Sequence, residues 1–252
     1  MFAETVKKIS ENAGVKSRLA ARNPGKYAVL SMAAGFYIGI AVFVMYAIRA
    51  PFTEQAEPYT KIVGAAAFSV GLILCVFAGS ELFTGNVLFV TAALIKKTLS
   101  FKNACAVLLL SFFGNFLGAL LFSLILYASG LCDAPISLRI AEAVAAKARL
   151  APLSIFSRGI LCNVLVCLSV WTALRVKTDG AKFACLVICV FTFVISGYAH
   201  CVADMTQYIL ACFLGVPVAA DVCAAFLMTV LGNIAGGALV AAGYCLADAP
   251  GN

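Results

Sequence analysis

The chain has 252 residues, of which 63% are hydrophobic and only 12% charged, with a formal net charge of +7. A soluble domain carries about 25% charged residues, and the mean hydropathy here is +1.05. Composition therefore excludes a soluble globular protein and reads as an all-α integral membrane protein, with lipids as partners and nothing that points to nucleic acid.

Residues 1–26 are polar and basic, too long for the n-region of a cleavable signal. Phe2, Val6, Ile9 and Ala13 recur at helical spacing between basic residues, as in an amphipathic helix lying on the membrane surface. The same segment can equally pack under a pore mouth, where Lys16 would plug or line it. A bilayer core needs about 20 apolar residues per helix, and six spans are expected from 27–48, 60–95, 104–130, 155–176, 183–214 and 222–247. Residues 27–247 form one channel domain with a first repeat at 27–130 and a second at 155–247. A short tail, 248–252, follows.

The second span is interrupted by Gly79-Ser80-Glu81-Leu82-Phe83-Thr84-Gly85-Asn86, the fifth by Ser196-Gly197-Tyr198-Ala199-His200 running on to Met205. Backbone leaves helical geometry at membrane depth only where protein or a water-lined cavity satisfies the freed groups. Two broken spans in corresponding halves point to a transport site. The third span carries Gly114-Asn115 with Gly118 three residues on, and the sixth carries Gly232-Asn233 with Gly236. Each Gly-Asn span follows its break at nearly the same distance. Three spans plus three spans put the two copies in opposite orientation, an inverted repeat of aquaporin-like architecture.

Even span number puts both termini on one side. With that side inside, twelve Lys and Arg fall in inner segments and six in outer loops, so both termini are expected in the cytoplasm. The 131–154 loop holds Arg139, Lys147 and Arg149 and a short helix at 137–149, with Leu138, Ala141, Ala145 and Ala148 as its small-residue face.

Eleven cysteines lie mainly in apolar spans, where they behave as small hydrophobes. Neither a CxxC pair nor His-Cys ligand spacing occurs, so no metal or other cofactor is expected. His200, the only histidine, sits in a break, where an ionisable group is a functional candidate by default. Thr84 sits in the other break and suits an anion, a neutral acid or a helix cap. Asn86 and Asp204 read as caps of the second half-helices. Glu81 reads as tied to backbone or to a basic partner. Phe68, Leu72, Leu82, Phe83, Val166 and Phe193 are either plain core or hydrophobic constrictions. A neutral-solute channel shares the architecture, but no Asn-Pro-Ala pair is present. A thiol redox enzyme would need paired cysteines, so no enzymatic activity is expected.

At these residues the chain resembles the formate/nitrite transporter family. Its carriers are Glu81-Leu82-Phe83-Thr84-Gly85-Asn86, the two Gly-Asn spans, Gly159-Ile160-Leu161-Cys162-Asn163 and Ser196 through Met205. The resemblance implies a homopentamer of six-helix protomers in a bacterial-type inner membrane, each with its own pore for small monovalent anions of weak acids. By position it implies that His200 and Thr84 line the pathway, with Lys147 near the outer vestibule and Asn163 near the pore. It also implies an outer constriction at Phe68 and Phe193, and an inner one at Leu72, Leu82, Phe83 and Val166. The family usually has an acidic residue before the histidine, where this chain has Ala199. That departure most resembles the hydrosulfide channels, with formate and nitrite as further or alternative substrates.

Overall fold

The computed structural model describes residues 2–52, 56–218 and 220–248; most of the expected tail, 249–252, lies outside them. The described residues are helical throughout, with no strand. In chain order the helices are α1 (Ala3–Arg22), α2 (Pro24–Arg49), α3 (Glu57–Phe68), α4 (Val70–Leu74), α5 (Phe83–Ile95), α6 (Phe101–Ala128), α7 (Ala134–Ala148), α8 (Pro152–Arg175), α9 (Asp179–Ile195), α10 (Cys201–Phe213) and α11 (Ala220–Ala247). One π-helical turn, Cys75–Gly79, prolongs α4.

Five stretches are long and apolar enough to cross a bilayer: Pro24–Arg49, Glu57–Gly79, Phe101–Ala128, Pro152–Arg175 and Asp221–Ala247. In contrast, α5 and α10 have 13 residues each. At 1.5 Å per residue each is about 20 Å long, short of the ~30 Å hydrocarbon core. Several helices begin at polar caps. Asn23 accepts from the Lys26 amide, with Pro24 at the first helical position. Ser100 caps α6, Asp133 caps α7 and Thr178 caps α9 in the same way. Such caps satisfy the amides a helix start leaves free.

Packing is organised around two intimate pairs, α2 with α6 and α8 with α11. A Cβ added at Gly118 would fall 1.9 Å from the Met32 carbonyl oxygen, and one added at Gly236 would fall 2.3 Å from the Ile160 carbonyl oxygen. Glycine here lets backbones touch, which drives association where lipid competes for every apolar surface.

The backbone leaves the helix at residues 80–82 and 196–200. Both breaks are shorter than the polar motifs suggest, since Phe83–Asn86 and Cys201–Met205 are already helical. Gly79 (φ +80°) and Gly197 (φ +71°) end the preceding helices in left-handed geometry, a conformation glycine adopts without strain. The Ser80 amide then reaches back to the Cys75 carbonyl, and the Tyr198 amide to the Phe193 carbonyl, each at 3.0 Å.

Two buried asparagines close both breaks in one pattern. Asn115 accepts from the Phe83 amide at 2.9 Å and donates to the Ser31 and Glu81 carbonyls at 2.8 and 2.9 Å. Asn233 accepts from the Cys201 amide and donates to the Gly159 and Ala199 carbonyls, all at 2.9 Å. The amides of Glu81 and Ala199 complete each break by donating to the Leu30 and Arg158 carbonyls.

Helix α1 packs into the bundle rather than lying apart from it. Val6, Ile9 and Ala13 are buried with residues of α5, α8 and α11. Phe2 contacts the stacked rings of Trp171 and Tyr244, and Arg175 covers Phe2 while bonding the Thr5 hydroxyl. The α7 face also differs from expectation. It buries Ile136, Ile140 and Val144, leaving Leu138 60% exposed. Branched side chains at i, i+4 and i+8 offer more apolar area than the alanine stripe.

Glycine-to-alanine scanning tests this packing. Gly118→Ala and Gly236→Ala each force a methyl into a carbonyl and should cost several kcal/mol. Gly243, where an added Cβ meets nothing within 4 Å, should gain up to ~1 kcal/mol from helix propensity. Thermal unfolding of the purified protein in detergent checks both signs.

Candidate functional site

The junctions between the two breaks and the helices that follow them define the site. His200 is the N-cap of α10, and its Nδ1 accepts from the Ala203 amide at 3.2 Å. A ring nitrogen that accepts a backbone N–H bears no hydrogen, so the ring proton sits on Nε2. That nitrogen faces the Thr84 hydroxyl at 3.1 Å. The histidine therefore donates to Thr84 Oγ1 and leaves the hydroxyl hydrogen to point elsewhere. Both residues are buried, Thr84 at 0% and His200 at 4% exposure. Thr84 is not a cap; it lies inside α5, whose start is served by Asn115.

Rings cover the pair on one side. Phe193 stacks on His200 at 5.9 Å, and Phe68 meets Phe193 edge to face at 6.0 Å. Two cavities approach from opposite ends. A cavity of about 390 Å³ beside α1 is lined by Leu72, Leu82, Gly85 and Asn86, together with Lys8 and Lys16. It therefore reaches the residues flanking Thr84. A second, of about 340 Å³ beside α7, is lined by Tyr198, Ala199, Lys147, Arg158 and Asp204. It reaches the residue preceding His200. Phe83 and Val166 line neither cavity; both are buried in the core, and the Phe83 ring packs against Phe112 of α6.

Asn163 takes a supporting place. Its amide donates to the Thr84 carbonyl at 3.1 Å and to the Asn233 carbonyl, and its oxygen accepts from the Cys167 thiol. With its polar atoms committed and none of its surface exposed, it braces α5 against α8 and α11.

A buried carboxylate sits on either side of the pair, and each is matched by a lysine. Lys16 of α1 binds both carboxylate oxygens of Glu81, at 2.8 and 2.7 Å. Tyr27 and Asn86 donate to the same carboxylate. Asn86 thus belongs to this network and does not cap α5. At the other end Lys147 of α7 is ion-paired with Asp204 of α10. Asp204 likewise is no cap, since that place belongs to His200. Both groups of this second pair are almost enclosed, at 13% and 7% exposure. The Lys147–Asp204 pair as a whole therefore brings no net charge to the cavity that both residues line.

Sequence reasoning missed the Lys147–Asp204 pair because the partners are 57 positions apart. A usable signal was present: an aspartate in an apolar helix needs a cation, and α7 supplies the nearest basic residues. The bracketing role of Asn115 and Asn233 was also missed, although their recurrence marked the repeat.

Among the described residues no group of three or more metal-ligating side chains occurs, and the cysteines are free.

Comparison with known proteins agrees with this geometry. The family model described as formate/nitrite transporter matches residues 3–247. The nitrite transporter NirC of Salmonella typhimurium is 36% identical over 215 residues, covering 84% of this chain and 78% of the relative. The formate channel FocA of Escherichia coli is 36% identical over 203 residues, covering 79% and 70%. Among solved structures, an FNT family ion channel superposes with a TM-score of 0.90 at 31% identity, covering 98% of this chain and 100% of that one. A pentameric formate channel with formate bound gives 0.74 at 27% identity, covering 87% and 95%. This chain is a membrane protein that belongs to the formate/nitrite transporter family.

Proposed function

We propose that the chain is a channel for small monovalent anions of weak acids, hydrosulfide foremost, with formate and nitrite also permeant. The observation that carries this reading is the Thr84–His200 pair, buried between two cavities and flanked by apolar rings. A full charge in an apolar slit is costly. Fixed donors at the narrow point offset that cost without reorganising. In this reading the Thr84 hydroxyl turns its free hydrogen to the anion, while His200 holds the hydroxyl oxygen through Nε2–H. A proton travels with the anion, so the neutral weak acid crosses the slits at Phe68 with Phe193 and at Leu72 with Leu82. The ring serves as a neutral donor, because a second proton on Nδ1 would face the Ala203 amide.

Ala199 favours hydrosulfide over the alternative of a formate or nitrite transporter proper. It leaves the α7-side approach without a carboxylate next to the histidine, and hydrosulfide has a well-populated acid form near neutrality. The names of the nitrite and formate relatives favour that alternative instead, and a substrate panel decides between them.

The assembly follows the same reasoning. Six spans, two of them broken at mid-membrane, would form an inverted repeat of residues 27–130 and 155–247 in an inner membrane, with both termini cytoplasmic. Phe113, Leu117, Leu121 and Leu124 of α6 are 42–59% exposed, a surface suited to lipid or to neighbouring protomers of a homopentamer.

Reconstituted protein should pass hydrosulfide faster than formate or nitrite, and should not swell vesicles in glycerol. Thr84→Ala removes one neutral hydrogen bond, about 1–1.5 kcal/mol, and should slow flux about tenfold; Thr84→Ser should retain it. Unchanged flux in Thr84→Ala and His200→Phe together would remove the pair from the pathway.

Asp204→Asn leaves an enclosed ammonium without its counter-charge, and should destabilise the fold by about 3–5 kcal/mol. Thermal unfolding reads this, with exposed Lys7→Gln as a control near zero.

A further inference from the structure

The cavity beside α7 holds two cations and one carboxylate. Lys147 and Asp204 cancel one another. Arg158 lines the same cavity from the first turns of α8. It is half-buried, and among the described residues its guanidinium has neither an ion pair nor a side-chain hydrogen bond. Its main chain is fixed, because its carbonyl accepts the Ala199 amide at 3.2 Å. That bond ties it to the residue immediately before His200. Nearby outer cations differ. Arg139 is tied to Glu57, Glu142 and the Phe52 carbonyl, and Arg49 is paired with Glu57. Arg149 is exposed and lines neither of the two cavities.

We infer that Arg158 is the anion-recruiting residue of this vestibule, a role for which Lys147 is unsuited by its neutralisation. The inference rests on the anion-channel reading above and deepens it. A cavity with low-dielectric walls focuses the field of an uncompensated charge and raises the local concentration of the opposite charge. A guanidinium also presents a planar fork of donors that matches the two oxygens of a formate or nitrite ion. Hydrosulfide, with one acceptor atom, gains the field but not the fork. Arg158 therefore aids carboxylate-like oxyanions more than it aids hydrosulfide. The Lys147–Asp204 pair positions α7 over the cavity and leaves the net field to Arg158.

Two measurements test the inference. In proteoliposomes, Arg158→Gln should lower nitrite influx about five- to tenfold at 10 mM salt, where the Debye length is ~30 Å, and by less than twofold at 1 M, where it is ~3 Å. Arg158→Lys should recover the salt slope but only part of the nitrite rate. The double variant Lys147→Gln/Asp204→Asn, which leaves net charge unchanged, should keep the wild-type salt slope. A salt slope that survives Arg158→Gln, or that disappears in the double variant, overturns the inference. The second readout is independent of flux. Phenylglyoxal labelling of Arg158, followed by mass spectrometry, should be slowed by nitrite and by formate, while Arg149 labels at a constant rate. Equal labelling of Arg158 with and without either anion overturns the inference. Protection without flux upholds it and refutes the channel reading instead.

Discussion

A helix interrupted inside an apolar bundle exposes amides and carbonyls that water cannot reach, and every feature of this site depends on how they are satisfied. Each unsatisfied group would cost several kcal/mol in hydrocarbon. Asn115 and Asn233 answer that demand with one side chain per break, each accepting one amide hydrogen and donating to two carbonyls. An asparagine offers two donors and an acceptor on one planar group, the set each gap needs. Since both asparagines come from long helices packed backbone to backbone, the gaps cannot drift. Thr84 and His200 are held at hydrogen-bond distance because the ends of α5 and α10 are held.

The same economy governs the charges. Glu81 and Asp204 lie in or beside the breaks, where an unpaired carboxylate would be untenable. Each is matched by a lysine from an amphipathic helix, Lys16 from α1 and Lys147 from α7. The two amphipathic helices thus carry counter-charges inward. This explains why α1 buries Val6 and Ile9 and α7 buries Ile140 and Val144: apolar packing sets the depth at which each lysine meets its acid.

Much of this was legible in the chain. Long apolar runs announce helices because few other patterns produce them, and the polar motifs at 79–86 and 196–205 announced interruptions because polarity there is expensive. Thr84 and His200 were singled out separately, and folding brings them to 3.1 Å. The need of Glu81 for a basic partner was also readable, although only the fold names Lys16. What stayed hidden was relational. The extent of each break depends on an asparagine some thirty residues away, so the motifs overstated it. The faces of α7 could not be ranked without knowing which would be covered. The resemblance placed Asn163 near the pore, and only the fold shows that its amide is bonded to the Thr84 and Asn233 carbonyls.

The two halves are alike in backbone and unlike in charge, and that difference makes the two sides of the Thr84–His200 pair electrostatically unequal. Counting from the amides that Asn115 and Asn233 cap, Glu81 corresponds to Ala199 and Asn86 to Asp204. In the first half the carboxylate lies in the break and an amide lies one turn into the helix. In the second the break holds alanine and the carboxylate lies one turn in. The acid of the second half lies five residues further along and pairs with Lys147, while the Ala199 amide bonds the Arg158 carbonyl as the Glu81 amide bonds that of Leu30. The α1 side of the Thr84–His200 pair thus faces a carboxylate already engaged by lysine, tyrosine and asparagine, whereas the α7 side faces an apolar methyl with a guanidinium nearby. On the proposed reading, an anion nearing from the α7 side would meet uncompensated positive charge before the pair, and one nearing from the α1 side would meet a neutralised network first. The chemistry of permeation can be symmetric while the approach to it is not, because one acidic side chain stands at different steps of an otherwise repeated structure.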